Sequence, residues 1–454
     1  MKPMFISTIL VATISLCGLL AATTSVILGT LAAVIAMWTA LLADRLIRSD
    51  TRASAQIWLV SQAAIFCSIP VLTLPTLRVV VMAAILTTWL FVIWGRITLN
   101  TSAIVGWCTY YATLGLSTIF YSPEDDGALL VFLIYAATAI PAAGLAGSLI
   151  SRSDLPALVA SLYTGVSFQV GITIYEVVKR QETIWRLQIE GKLLDPEQFT
   201  NTLVDGIARG TGTFGHPLPQ ALLYVVAFSV ALTLARYNWF ITTLICSICV
   251  AGAILGSARS ALLSMTIVTI LAIIKWSRLA SMVLLTSIVA GTTLVADNLD
   301  WSSTIGFDNF AATGSYTHRM GVIQTLPNLL DRTILEVLFG NGVRGQTLIL
   351  EHLNDKLSAV DNQFINAIIL SGFLGATGLA WVMLAAYRNS PPLRLVIVGM
   401  LLMFFSFDAL SWQSTLAVVA TLCGLACSPR LWTTSGQRHA GSDKTGDTKS
   451  QARM

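Results

Sequence analysis

Apolar runs of about twenty residues, separated by charged or Pro/Gly-rich breaks, recur along almost the whole chain. About 20 such residues in a helix cross the hydrocarbon core of a bilayer, where only helices and closed barrels satisfy their own backbone polar groups. Parsing at the breaks predicts fourteen spans, near residues 4–21, 25–43, 55–74, 77–95, 101–120, 128–150, 155–177, 215–235, 239–257, 259–275, 279–296, 361–387, 395–410 and 412–428. Composition agrees, because 55% of the 454 residues are hydrophobic and only 11% charged, against about a quarter charged in a soluble domain. A chain this apolar would precipitate from water, which excludes a soluble enzyme or a nucleic-acid-binding module. The expectation is an all-α, polytopic integral membrane bundle of about 12–14 transmembrane helices.

Lys and Arg orient the bundle. With the N-terminus inside, the short inner segments hold Lys2, Arg45, Arg48, Arg52, Arg96, Arg152, Arg236, Lys275, Arg278, Arg388 and Arg394. The tail adds Arg430, Arg438, Lys444, Lys449 and Arg453, whereas the short outer turns hold only Arg78 and Arg259. The other cations sit in two long outer loops, to which the positive-inside rule does not extend. Both termini are therefore expected in the cytoplasm. Trp94, Trp239 and Trp276, each close to a basic residue, fit headgroup anchors.

This orientation divides the chain into helices 1–177, a first long outer loop 178–214, central helices 215–296, a second long outer loop 297–360, C-terminal helices 361–428 and a disordered cytoplasmic tail 429–454. The first 25 residues resemble a signal peptide, but apolar sequence resumes directly after Ser25, as in a retained first helix. In the first loop, Asp195 as cap, Pro196 and Glu197, followed by Phe199, Leu203 and Ile207, predict an amphipathic surface helix. All seven cysteines lie inside apolar runs, so no disulfide framework or zinc site is indicated. Cys246-x-x-Cys249 reads as two small packing residues. The acidic turn at 123–126 reads as solvent-exposed rather than as a cation site, and no metal is expected.

Polar groups at membrane depth or at its rim mark function, and four stretches carry them. Arg209 and His216 flank a Gly/Thr-rich turn leading into a Pro-rich helix start; a snorkelling Arg and a substrate loop both fit. Arg259 stands at a tight turn after Ser257, as an anchor or an anion ligand. His318, Arg319 and Arg344 belong to the second long loop, whose "FGNGVRG" lacks the phosphate-loop pattern of a nucleotide site. Finally, Asp361 opens the stretch "DNQFINAIILSGFLG". There it is either a helix N-cap or a carboxylate that takes a proton from a hydroxyl while guanidinium groups hold an anion. Gly372, Gly375 and Gly378 would let a neighbouring helix come close.

The order of these parts resembles the O-antigen ligase and polysaccharide polymerase superfamily of bacterial envelope membrane proteins. The resemblance is carried by Gly-Thr-Phe-Gly-His-Pro (212–217), Ser-x-Arg (257–259), Arg319 ahead of a hydrophobic-Phe-Gly-x-Gly segment (338–342), and Asp361-Asn362, nine residues, Gly372-x-x-Gly375. It spans roughly 205–380, and the chain carries Asp361 where the ligases carry His. The resemblance implies a GT-C-like bundle in the bacterial cytoplasmic membrane with an extracytoplasmic site. It also implies metal-independent, inverting glycosyl transfer from a polyprenyl-diphosphate-linked glycan, without a cofactor. Arg259, Arg319 and Asp361 would then be catalytic, while Arg209, His216, His318, Arg344 and Asn362 would contact substrate. The Asp favours a polymerase of surface or exopolysaccharide repeat units over an O-antigen ligase acting on lipid A-core. A lipid-linked-oligosaccharide flippase is the alternative of another class. A chain-length regulator and export proteins are the partners implied.

Overall fold

The computed structural model describes residues 101–121, 126–150, 155–179, 207–214, 216–234, 239–276, 331–345 and 360–432, with a few isolated positions between them. The spans expected near 4–21, 25–43, 55–74, 77–95 and 279–296, the acidic turn before Asp126, and His318 and Arg319 lie outside the described residues. Every span expected within them is a helix. These are α1 (Thr101–Tyr121), α2 (Asp126–Leu149), α3 (Leu155–Lys179), α4 (Pro217–Thr233), α5 (Trp239–Leu255), α6 (Arg259–Trp276), α8 (Gln363–Asn389), α9 (Arg394–Phe404) and α10 (Gln413–Ala426). Two shorter helices, α7 (Ile334–Phe339) and α11 (Pro429–Trp432), a small hairpin pairing Gln188–Ile189 with Lys192–Leu193, and 3₁₀ turns at Gly212–Phe214, Pro391–Leu393 and Ala409–Ser411 complete the described elements. Among the described residues, Thr101–Tyr121, Gly127–Ser148, Leu158–Val178 and Gln363–Asn389 are long and apolar enough to cross a membrane.

The bundle is built around α4, which is buried almost all round, from Pro219 to Ala231 without interruption. A helix apolar on every side has no surface to give to water, and α3, α5, α6 and α9 pack about it. By contrast, α5 buries only the stripe Ile245, Cys249, Gly252 and Ala253, while Trp239 stays 79% exposed at its start. In water this large apolar exposure would be a liability; against lipid it is the expected outer face. Cys246, Cys249 and Cys423 are free and lie in apolar helices, and Cys427 is free at the C-cap of α10.

The tightest pairing joins α1 to α8. A Cβ built on Gly378 would meet the Gly106 carbonyl oxygen at 2.8 Å, so only glycine allows this crossing. Gly378 and Gly375 therefore act in packing, as the sequence suggests. Gly372 also packs closely, since a Cβ there would strike the Leu338 carbonyl of α7, but it does something more. It sits at φ 65 and ψ −173, outside helical geometry, and breaks α8 into segments 363–371 and 373–389. The stretch after α7 fills the break: Asn341 N–H donates to the Ile369 carbonyl and Gly342 N–H to the Leu370 carbonyl, both at 2.9 Å. Ser117 Oγ of α1 also donates to the Leu370 carbonyl at 3.0 Å. The carbonyls freed by the break are thus satisfied inside the protein, which a membrane interior demands.

Two helix expectations need correction. Residues 201, 203, 204 and 207 are not helical, so the surface helix predicted across them is absent there. Instead, Asn201 Oδ1 accepts from the N–H groups of Leu203 (2.8 Å) and Val204 (3.0 Å), an Asx turn. The helix expected to run to 410 stops at Phe404, and Ala409–Ser411 form a 3₁₀ turn. With 11 residues, α9 is only about 17 Å long.

Candidate functional site

The described cations sort to two ends of the bundle. Where α8 ends and α9 begins, Lys275 Nζ donates to the Pro391 carbonyl (3.5 Å) and Arg394 Nε to that of Tyr387 (3.1 Å). The opposite end, where α8 begins, gathers Arg209, His216, Arg259, Asp361, Asn362 and the 405–412 turn.

The cationic arm is made by two turns. After α5, Ala258 N–H reaches back to the Ala253 carbonyl (2.8 Å) and Ser257 N–H to that of Ile254 (2.9 Å). This Schellman closure needs a left-handed residue, and Ser257 takes it at φ 52, the one non-glycine with positive φ among the described residues. A serine there is strained, and such strain concentrates at functional turns. The turn ends at Arg259, exposed as the first residue of α6. Arg209 comes up beside it: its Nε donates to the Gly256 carbonyl (2.8 Å), and Gly210 N–H donates to that of Leu255 (3.1 Å). Burial, with the repulsion of Arg259, lowers the Arg209 guanidinium to about 10. It stays charged at neutral pH, so two cations are held together at a cost that an anion would relieve.

Glu176 anchors this arm. It is a lone acid near the end of α3, 3% exposed, and its Oε2 accepts from the N–H groups of Thr211 and Gly212, both at 2.9 Å. His216, expected to touch substrate, has a structural duty: it is the N-cap of α4, and its Nδ1 accepts from Leu218 N–H at 3.3 Å. Burial and the neighbouring Arg209 lower its imidazole to about 3, so the ring is neutral. Its face stacks on Trp412, with ring centroids 5.1 Å apart.

Trp412 leads to the acidic arm. Its Nε1 donates to Asp408 at 3.2 Å. Loss of hydration, with Asp361 as a like charge nearby, raises the Asp408 carboxyl to about 7. The 408–412 turn is tied to the first turn of α8, since Leu410 N–H donates to Gln363 Oε1 (2.7 Å) and Asn366 Nδ2 to Ser411 Oγ (2.9 Å). Asp361 is not the helix cap. Asn362 is, its Oδ1 accepting from Phe364 N–H (3.0 Å) and Ile365 N–H (3.2 Å). The cap reading of Asp361 is overturned, and Asn362, expected to contact substrate, has this capping role.

Arg344 is exposed and rests on a different support, the turn after α7, where Val343 N–H donates to Thr118 Oγ1 of α1 at 3.1 Å. Sequence reading also passed over Arg332 in this loop. Its Nε donates to the Leu329 carbonyl (2.9 Å), its Nη1 bonds Asn341 Oδ1, and Asn341 Nδ2 donates to Glu336 (3.0 Å). Thr333-x-x-Glu336 is a capping box, a signal visible in the sequence. For Glu176 and Asp408 the missed signal was equally plain, an acid inside an apolar run. Among the described residues, no group of three or more His, Cys, Asp or Glu side chains could hold a metal ion.

No protein-family model matches this chain, and no curated protein matches it.

Proposed function

We propose that this membrane protein is a glycosyltransferase that joins polyprenyl-diphosphate-linked oligosaccharide repeat units into a surface or exopolysaccharide. The observation that carries the reading is that Arg209 and Arg259 lie beside each other at the end of the bundle where α8 begins, linked through the His216–Trp412 stack to the turn that carries Asp408. Two guanidiniums suit a diphosphate, which they grip through paired hydrogen bonds. Negative charge grows on the leaving diphosphate as the glycosidic bond breaks, so cations fixed in place stabilise the transition state more than the ground state. A carboxylate on the other arm takes the proton of the acceptor hydroxyl. Arg319 is the further guanidinium expected to act on the diphosphate. In this reading the site faces away from the cytoplasm of a bacterial inner membrane, as the distribution of Lys and Arg suggests.

The broken helix α8 is the one feature that favours transport, since transporters place helix breaks at their substrate sites. Here the break is filled by Asn341, Gly342 and Ser117, which speaks for a structural joint.

The deciding experiment supplies purified protein in liposomes with lipid-linked repeats. A ladder of lipid-linked oligomers is expected. Transfer only to an added lipid A-core acceptor would replace polymerase by ligase, and movement of the lipid between leaflets with no new bond would replace both by a flippase. A supporting expectation is that Arg259→Lys and Arg319→Lys each lose most activity while still accumulating in the membrane, because lysine keeps the charge but not the planar fork.

A further inference from the structure

We propose that Asp408 is a second carboxyl of the reacting site, and that Asp408 and Asp361 take the acceptor's proton as one unit. The inference rests on the glycosyl-transfer reading above. The geometry is a seam between two elements. The 408–412 turn is bound to the first turn of α8 through Leu410 N–H to Gln363 Oε1 and Asn366 Nδ2 to Ser411 Oγ. From α2, Tyr135 OH donates to the Ser411 carbonyl at 2.7 Å. Trp412 Nε1 holds the Asp408 carboxyl, so that side chain is positioned rather than free to swing into water. Asp361 stands just before the helix cap, at the same seam, and acts on Asp408 as a like charge.

A second observation marks this seam as a place for a hydroxyl-bearing ligand. Gln363 and Asn366 are both wholly buried, yet Gln363 Nε2 and Asn366 Oδ1 have no hydrogen-bond partner in the protein. One is a donor and the other an acceptor. A sugar hydroxyl is both, and carboxylates and carboxamides are the side chains that match it.

Among the described residues, the titrating groups on the neighbouring elements at this end are Arg209 and a neutral His216 on the 208–216 segment, Arg259 on the α5–α6 turn, and the Tyr135 phenol of α2. A lone carboxylate of ordinary strength is a weak base at neutral pH, and the most effective base has its value near the working pH. Two carboxyls side by side titrate as a pair, the first proton leaving easily and the last being retained. With Asp408 raised to about 7, that last proton leaves near neutrality. In the reaction the acceptor oxygen forms a bond to the anomeric carbon, and its proton passes to the carboxylate pair. The carbon–oxygen bond to the diphosphate breaks, and the diphosphate departs with the electron pair toward Arg209 and Arg259. Water later takes the proton from the pair.

The same arrangement destabilises the fold at high pH. Asp408 holds its proton in the folded chain to a higher pH than its ordinary value of 3.8, so the unfolded chain binds fewer protons. Stability is therefore full below about pH 4 and is lost as pH rises through about 7.

The test compares wild type with Asp408→Asn, Asp408→Glu and Asp361→Asn, using infrared titration of the protonated-carboxyl band and polymer formation against pH. In wild type the band should disappear near pH 7. It should be missing in Asp408→Asn and move to lower pH in Asp361→Asn. Asp408→Asn should slow polymer formation by about tenfold to a hundredfold and abolish the rise in rate through neutral pH, while increasing thermal stability above pH 7. Asp408→Glu should recover part of both the rate and its pH dependence. A purely structural Asp408 would give the reverse pattern, with reduced stability and an unaltered pH profile. A band that Asp361→Asn leaves in place, or an Asp408→Asn enzyme with the wild-type profile, overturns the proposal. Should wild type form no polymer at all, the functional reading falls, and the band shift still decides whether the carboxyls are paired.

Discussion

The cationic and acidic arms of the site are built on opposite plans. Arg209 and Arg259 hang from turns, and those turns are held by groups behind them: Glu176 under Thr211 and Gly212, and the Schellman closure with its strained Ser257. The acidic arm starts from regular structure, the capped first turn of α8, onto which the 408–412 turn is bound. His216 and Trp412 stack between them. The difference is one of where an ionised group can be tolerated. A guanidinium can stay charged while half-buried, because its proton affinity is very high, so the cations can sit close together. A carboxyl in the same surroundings holds its proton instead, which is what Asp408 does. One arm is thus a fixed charge and the other an adjustable one.

Substitutions can break this contrast, and the largest effect is expected on the acidic side. Asp361→Asn should reduce polymer formation by about 10²–10⁴-fold. Because Asn362 is the cap, thermal unfolding should hardly change; a large loss of stability would return Asp361 to a structural role. On the cationic side, Arg209→Lys should cost about 1.5–3 kcal/mol in transition-state binding, the usual worth of a hydrogen bond to a charged group. Read from kcat/KM, that is a loss of about ten- to a hundredfold, with no change in the pH profile. If the profile moved as well, the arms would not be electrically separate.

The supports of the two arms give smaller effects, of opposite sign. Asn362→Ala removes the cap of α8 and should lower stability by about 0.5–2 kcal/mol, seen in thermal unfolding in detergent. Ser257→Gly relieves a left-handed serine and should raise stability by about 1 kcal/mol. A destabilised Ser257→Gly protein would mean that the serine side chain contributes more than its backbone strain costs.

The helices were legible in the sequence because about twenty apolar residues have one good solution in a bilayer, a helix that bonds its own backbone. The same argument located Arg259, since a cation interrupting such sequence is conspicuous, while Arg209 stood out beside the Gly/Thr-rich turn. The same test applied to acids would have marked Asp408, inside a span ending near 410, and Glu176, near the end of another.

Pattern and composition thus determined the all-helical membrane bundle, the packing role of Gly375 and Gly378, and the residues rich in charge at its rim. The tertiary structure decided what those residues do. It gave the cap to Asn362 rather than Asp361, made Gly372 a helix break filled by Asn341 and Gly342 as well as a point of close approach to α7, and brought a turn from 408–412 against a helix start at 363. The physical reason is range. Helix formation depends on neighbours a few residues apart, whereas a carboxyl's protonation depends on whatever charges and walls the fold brings within a few ångströms, from any distance along the chain.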